Sequence, residues 1–229
     1  MTQLEHTPAL VSWSGGKDSC LAMWRARQSG MQIRRLITAM DESGESSRSH
    51  GVPPELIQAQ ADALGAELRF YKTSWGNYEE RFIATLQDAH AAGIRHAVFG
   101  DIDLVPHREW EEEVCAKADI TPVLPLWDEP RRKLVDEFLA LGFKAVVVCV
   151  NGKYLGQEFV GREFDEAFLA DLPASVDACG ENGEFHTFVY DGPAFSRPVG
   201  FTRDRVLEYR APEKFGAATY FFQKLATWN

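Results

Sequence analysis

The chain has no apolar run long enough to span a bilayer, which excludes a membrane-crossing helix. Nor is there a surplus of positive charge. The formal balance is -10, whereas general nucleic-acid binding draws on a basic surface. Cysteine is sparse. The four residues, Cys20, Cys115, Cys149 and Cys179, are scattered, without a CxxC pair or a His/Cys cluster at zinc spacing. They read as reduced, partly buried thiols, which fits a cytoplasmic protein. The opening MTQLEHTPAL has neither a basic n-region nor an apolar h-region, so no signal peptide is expected. Internal repeats and low-complexity tracts are lacking too. With 229 residues, the chain can bury one good core, or one core plus a small appendage.

What the sequence does have is a dense hexapeptide, Ser14-Gly15-Gly16-Lys17-Asp18-Ser19. It sits between the apolar runs Ala9 to Trp13 and Cys20 to Trp24. Strand, glycine turn and helix start, in that order, make a phosphate cradle. The glycines allow a tight turn, and the helix N-terminus adds unpaired donors and a positive dipole end. Lys17 supplies a mobile cation, and Ser14 and Ser19 supply hydroxyls. Asp18 is awkward beside phosphates unless it holds a metal ion or caps the helix. The common GxxxxGK[ST] spacing is absent. A GGK triplet alone is commonly only a turn, but the complete hexapeptide between strand and helix favours a nucleotide. It resembles the PP-loop of the ATP pyrophosphatase (adenine nucleotide alpha-hydrolase) superfamily, signature SGGxDS, whose members cleave ATP between its alpha and beta phosphates.

Strand-helix alternation up to about residue 150 predicts an α/β fold, a Rossmann-like (HUP-type) parallel sheet wrapped by helices. Strands are expected at 9–13, 33–40, 67–71, 96–99 and 145–150, with a brief one at 123–124. Helices are expected at 19–28, 53–64, 78–92, 108–118 and 131–141. Turns crowd together beyond residue 150, helices thin out to a short piece near 163–170, and 185–190 alternates as a strand. The division expected is a domain at 1–150 and a smaller α+β domain at 151–229. The aromatic tail, with Tyr220-Phe221-Phe222 and Trp228, is expected to pack on the body or on a twin subunit.

In an open parallel sheet, ligands sit outside the carboxyl ends of the strands. That rule brings the hexapeptide, Met40 and Gly100-Asp101 to one crevice. The backbone at Met40 suits an adenine ring, although plain core packing explains the residue equally well. Asp101 suits Mg²⁺ shared with phosphate oxygens, or a loop cap, and Asp103 is a weaker candidate. The polar stretch 41–52, DESGESSRSHGV, is either a solvated loop or a functional one. Its Arg48 and His50 suit an anionic or carbonyl substrate. A second dense motif, CGENGEFHT, runs from Cys179 to Thr187. Glu181 and Glu184 could hold ammonium or act as general base, and His186 could orient a carboxylate or a phosphate. The competing reading is a charged hairpin turn facing solvent.

Taken together, SGGKDSC, RSHGV, FGDI, PLW and CGENGEFHT followed by DGP resemble the diphthine–ammonia ligase family, from Val11 to Phe195. The resemblance implies an N-terminal ATP pyrophosphatase domain and a smaller C-terminal domain bearing the second motif. It also implies a reaction in which ATP adenylates a carboxylate, pyrophosphate leaves and ammonia displaces AMP. In diphthamide synthesis that carboxylate belongs to diphthine, a modified histidine of an elongation factor. The ENGEFHT variant resembles a bacterial branch, for which another acceptor is expected, and the family's eukaryotic members carry further C-terminal domains.

By position, Ser14 to Ser19 would bind ATP phosphates, with Met40 and Gly100 also at the nucleotide. Asn182 and Gly183 would lie near acceptor or ammonia, with Glu181 and Glu184. The catalytic set expected is Lys17, Asp18, Asp101, Glu181 and Glu184, with Mg²⁺ on Asp18 and Asp101. A non-catalytic nucleotide- or cobalamin-related module is a second reading. A tRNA thiolase is disfavoured by the missing cysteine pair. Lys17→Ala is expected to lose ATP binding with unfolding nearly unchanged.

Overall fold

A computed structural model describes residues 7–74, 76–211 and 218–228. Its first sheet contains β1 (Thr7–Ser12), β2 (Met31–Met40), β3 (Glu67–Lys72), β4 (His96–Val98) and β5 (Thr121–Val123). All pair in parallel, in the order β3-β2-β1-β4-β5. Ala9, Leu10 and Val11 of β1 are fully buried, as an unbroken apolar run must be in the middle of a sheet covered on both faces.

The helices are α1 (Lys17–Gln28), α2 (Pro54–Leu64), α3 (Tyr78–Ala91), α4 (Val105–Lys117) and α5 (Arg131–Ala140). Pro54 opens α2 where a missing N–H costs nothing, and Gly65 closes it in the left-handed region at φ 67°. Helix α4 begins earlier than the expected residue 108 because Pro106 fits its first turn.

One expectation changes. The run 145–150 becomes β6 (Lys144–Asn151), which leaves the parallel sheet and joins an antiparallel one. The partners there are β7 (Phe185–Asp191), β8 (Phe201–Arg210) and β9 (Thr219–Thr227), in the order β7-β6-β9-β8. A continuous apolar run reads alike for either setting, so periodicity could not separate them. The break between sheets therefore falls between β5 and β6, ahead of residue 150. A short helix, α6 (Glu166–Asp171), is capped by the Asp165 carboxylate, which accepts from Phe168 N.

The second sheet is not a detached appendage. Leu21 and Met23 of α1 and Leu56 of α2 share one core with Val146 of β6 and Phe188 of β7. Helices α3 and α4 cover the other face of the parallel sheet, where Phe82 and Val114 pack with Leu10 and Ile37. The aromatic tail is half-buried and strand-forming: Tyr220, Phe221 and Phe222 of β9 pair with β6, while Trp228 stays exposed.

Candidate active site

A cleft of about 760 Å³ opens at the carboxyl ends of β1, β2 and β4, where the strand order reverses direction, the usual ligand position in such sheets. The hexapeptide contributes Ser14, Lys17, Asp18 and Ser19 to its wall. From the polar stretch come Arg48 and His50, and from the end of β4 come Gly100 and Asp101. The second motif adds Glu181, Gly183 and His186, so two stretches far apart in sequence face one space.

The hexapeptide is pinned from behind. Gly15, at φ 80°, accepts at its carbonyl from Val189 N at 2.9 Å and from Gln60 Nε2 at 3.0 Å. Gln60 also donates to Val189 O at 2.6 Å and accepts from Trp13 Nε1 at 2.9 Å. A Cβ on Gly100 would fall 2.8 Å from Ser19 N and 2.9 Å from Asp18 C. Only glycine therefore lets the β4 end touch the start of α1. Ser14 Oγ accepts from Gly16 N at 3.2 Å and faces Ser19 Oγ at 3.1 Å.

Lys17 Nζ donates to both Asp18 oxygens, at 2.8 and 2.7 Å. Burial works against the Lys17 charge, but Asp18, Cys179 and Glu181 outweigh it and hold the ammonium above its usual range. Asp18 thus serves neither as helix cap nor as a free carboxylate in this state. The α1 N-cap is Gly16, without a side-chain bond.

Across the cleft, Asp101 Oδ1 pairs with His107 Nδ1 at 2.8 Å. Burial raises Asp101, yet bonds from His107 and Glu111 bring it below its ordinary value. Burial, together with the bond to Asp101, pushes Glu111 up to about 10, so at neutral pH Glu111 is the protonated partner. His107 and Glu111 escaped the sequence reading. Their spacing of four within a helix, which puts both on one face, was the available signal. Glu181 is pushed up to about 7, first by burial and then by Asp18. Asp103 is occupied elsewhere: Arg131 grips it through Nε and Nη2, both at 2.7 Å, and Asp177 at 2.6 Å. That clamp fastens the second motif to the loop after β4.

Five expected residues are held in ways the sequence did not show. Met40 is buried in the core, and its carbonyl accepts from Thr73 N at 3.2 Å. The cleft wall there is Ile37, Thr38 and Ala39. Glu184 is buried and folds its own turn, accepting from Asp177 N at 3.2 Å, Asn182 N at 2.8 Å and Asn182 Nδ2 at 2.9 Å. Asn182 is thereby turned toward Glu184 and, like it, does not line the cleft. His50 sits with Nδ1 2.8 Å from Thr187 O. A carbonyl can only accept, so the proton lies on Nδ1. Its ring stacks on His186 with centroids 4.7 Å apart. Burial, with Lys17 nearby, takes His50 down to about 4, and burial, His50 and Lys17 take His186 down to about 3. Both are neutral imidazoles at pH 7, so of the two substrates that suit His50, anionic or carbonyl, neither gains a charge from it. Tyr71 and Tyr78, also missed, add aromatic wall, with the Arg48 guanidinium 5.7 Å over the Tyr78 ring. Tyr71 is the last residue but one of β3, and the carboxyl-end rule would have reached it.

Glu184→Ala should destabilise the protein by about 2–4 kcal/mol, because it strands buried donors that bond to a charge. Urea unfolding measures this, and a loss under 0.5 kcal/mol would contradict the role in the turn.

The fold and cleft define a Rossmann-like α/β enzyme with a glycine-lysine loop at its switch point. A family model described as the diphthamide synthase N-terminal domain matches residues 7–122, and one described as the diphthamide synthase C-terminal domain matches residues 130–214. The chain belongs to the diphthamide synthase family. A diphthine--ammonia ligase of Danio rerio is 26% identical over 218 residues, covering 81% of this chain and 83% of its own length. The human diphthine--ammonia ligase is 25% identical over 237 residues, covering 90% and 87%. That of Schizosaccharomyces pombe is 23% identical, over 87% of this chain but only 37% of its own length. Long additional segments are thus a property of the yeast relative and not of the two vertebrate ones. Among solved structures, a predicted subunit of tRNA methyltransferase from Methanocaldococcus jannaschii DSM is 19% identical. It covers 62% of this chain and 80% of its own, with a TM-score of 0.41, too loose a likeness to carry an argument.

Proposed function

We propose that the chain is an ATP-dependent ligase of the diphthine–ammonia ligase type, joining ammonia to a carboxylate with release of AMP and pyrophosphate. The observation that carries this reading is Glu181. A carboxyl held near neutrality shares one cleft with the lysine of a phosphate-type loop. The acceptor carboxylate attacks the α-phosphorus of ATP, and the bond to the β-phosphate oxygen breaks. Ammonia then attacks the acyl carbon, the bond to AMP breaks, and Glu181 takes the proton released from nitrogen. Lys17 exchanges its hold on Asp18 for the phosphates. Asp18 and Asp101 face the same cleft and repel one another, which suits a Mg²⁺ ion that completes its shell with phosphate oxygens. Among the described residues no group of three His, Cys, Asp or Glu side chains is placed to hold a metal ion, and Asp18 and Asp101 would be the pair to hold it. When bound, the ion offsets the charge of the leaving pyrophosphate.

The acceptor is read as a carboxylate on a protein side chain or a small molecule, diphthine being the one handled by the named relatives. All four cysteines are free and buried, which supports a reducing, cytoplasmic setting. Cys179 touches the cleft, but burial pushes its thiol up to about 12, which argues against thiolase chemistry. Incubation with ATP, ammonium and a diphthine-bearing elongation factor, alongside a panel of small carboxylates, should release AMP and pyrophosphate in step with ammonium. Release of ADP and phosphate would overturn the reading. Tight ATP binding without turnover on any acceptor would favour a binding module.

A further inference from the structure

We propose that Thr187 is a direct phosphate ligand: its hydroxyl, carried in from β7, donates to the nucleotide's phosphate chain and completes the cradle that the hexapeptide begins. This rests on the reading of the cleft as an ATP site. The geometry starts with Lys17, whose backbone N–H donates to Thr187 Oγ1 at 3.0 Å across 170 residues of sequence. That bond uses a lone pair of the hydroxyl and leaves its proton to find an acceptor. Among the described residues none takes it. Thr187 is 2% exposed yet lines the cleft. A buried hydroxyl proton needs an acceptor, and the cleft that Thr187 lines is the side from which one can reach it.

The neighbouring hydroxyls are already committed. Ser19 Oγ donates to Gly16 O at 3.1 Å, which leaves Ser14 Oγ as the donor in its 3.1 Å contact with Ser19 Oγ. Thr187 itself is held in place, because its own carbonyl is bound by His50 Nδ1. Accepting from Lys17 N–H polarises the hydroxyl and strengthens it as a donor. The acceptor it suits is anionic, because the Lys17 ammonium lies in the same wall. A phosphate oxygen meets each requirement: it accepts, it carries charge, and it brings no proton of its own.

Titration calorimetry with ATP and with adenosine tests this on T187V and T187S. Loss of a hydrogen bond to a charged group should weaken ATP binding to T187V by roughly tenfold or more. Adenosine, which has no phosphate, should bind T187V as it binds the unaltered protein, and T187S should recover ATP binding to within about threefold. Unchanged ATP affinity in T187V would overturn the proposal. So would an equal loss of adenosine, which would mean a distorted cleft, or a T187S as weak as T187V. A crystal structure of the unaltered protein with a non-hydrolysable ATP analogue gives a reading independent of variant folding. Thr187 Oγ1 should lie roughly 2.5–3.0 Å from a phosphate oxygen, and a water or nothing in that place counts against it. Failure of the unaltered protein to bind ATP would overturn the functional reading as well. Binding that ignores Thr187 would overturn this inference alone.

Discussion

Lys17→Ala should weaken ATP binding by roughly a hundredfold, since a charge-assisted contact to phosphate is lost, and it should also destabilise the unliganded protein by about 1–3 kcal/mol. The second effect is the one that sequence alone denied. In the structure Lys17 is 5% exposed and chelates both oxygens of Asp18. Removing it leaves Asp18 in a cleft where burial already raises its carboxyl and Lys17 pulls it down. With that pull gone, the folded-state value stands further above the unfolded one. A raised carboxyl contributes fully below its unfolded value and loses stability as pH rises toward the folded one. The deficit of the variant should therefore be small near pH 4 and grow toward pH 7.5. Urea unfolding across that range measures it, and a deficit independent of pH would show that the Lys17–Asp18 pairing does not matter to folding.

Glu181→Gln is expected to leave ATP affinity unchanged while slowing ammonium-dependent AMP release by about 10²–10⁴, the usual span for a lost general base. In the unaltered enzyme the rate, followed at constant free ammonia, should climb through about pH 7 and level off above it. There burial and Asp18 place the Glu181 carboxyl, and only its ionised form accepts a proton. The glutamine variant should lose that limb. If instead it kept both rate and pH profile, proton removal would have to be assigned to another group in the cleft.

Local signals were legible and long-range ones were not. The hexapeptide announced a strand, a turn and a helix start, and all three are present. The carboxyl-end rule brought Asp101 to the same crevice as Ser14 to Ser19, since β1 and β4 lie side by side in parallel and end on one edge. The strand β6 could be read as buried but not as belonging to one sheet or the other. Glu184 and Glu181 look alike in sequence, three residues apart. Only the turn, with positive φ at Gly180 and Gly183, decides that one carboxylate folds inward and the other meets the cleft. The alternation at 185–190 places Thr187 on a strand but says nothing of its partner Lys17, 170 residues away.

The pins behind the hexapeptide also govern when the cleft can come into being. Gly15 is held by Val189, and Lys17 N by Thr187, so the loop's shape depends on β7. Strand β9, formed by Thr219–Thr227, is an inner strand between β6 and β8. On the ribosome β1 and the glycines emerge well before the strand that locks them, since Thr187 follows Lys17 by 170 residues. A nascent chain therefore stays unable to grip nucleotide until β7 has been made. Bringing such distant segments together also makes this a slow-folding topology. ATP added during refolding should consequently act late, trapping the finished protein without hastening its assembly.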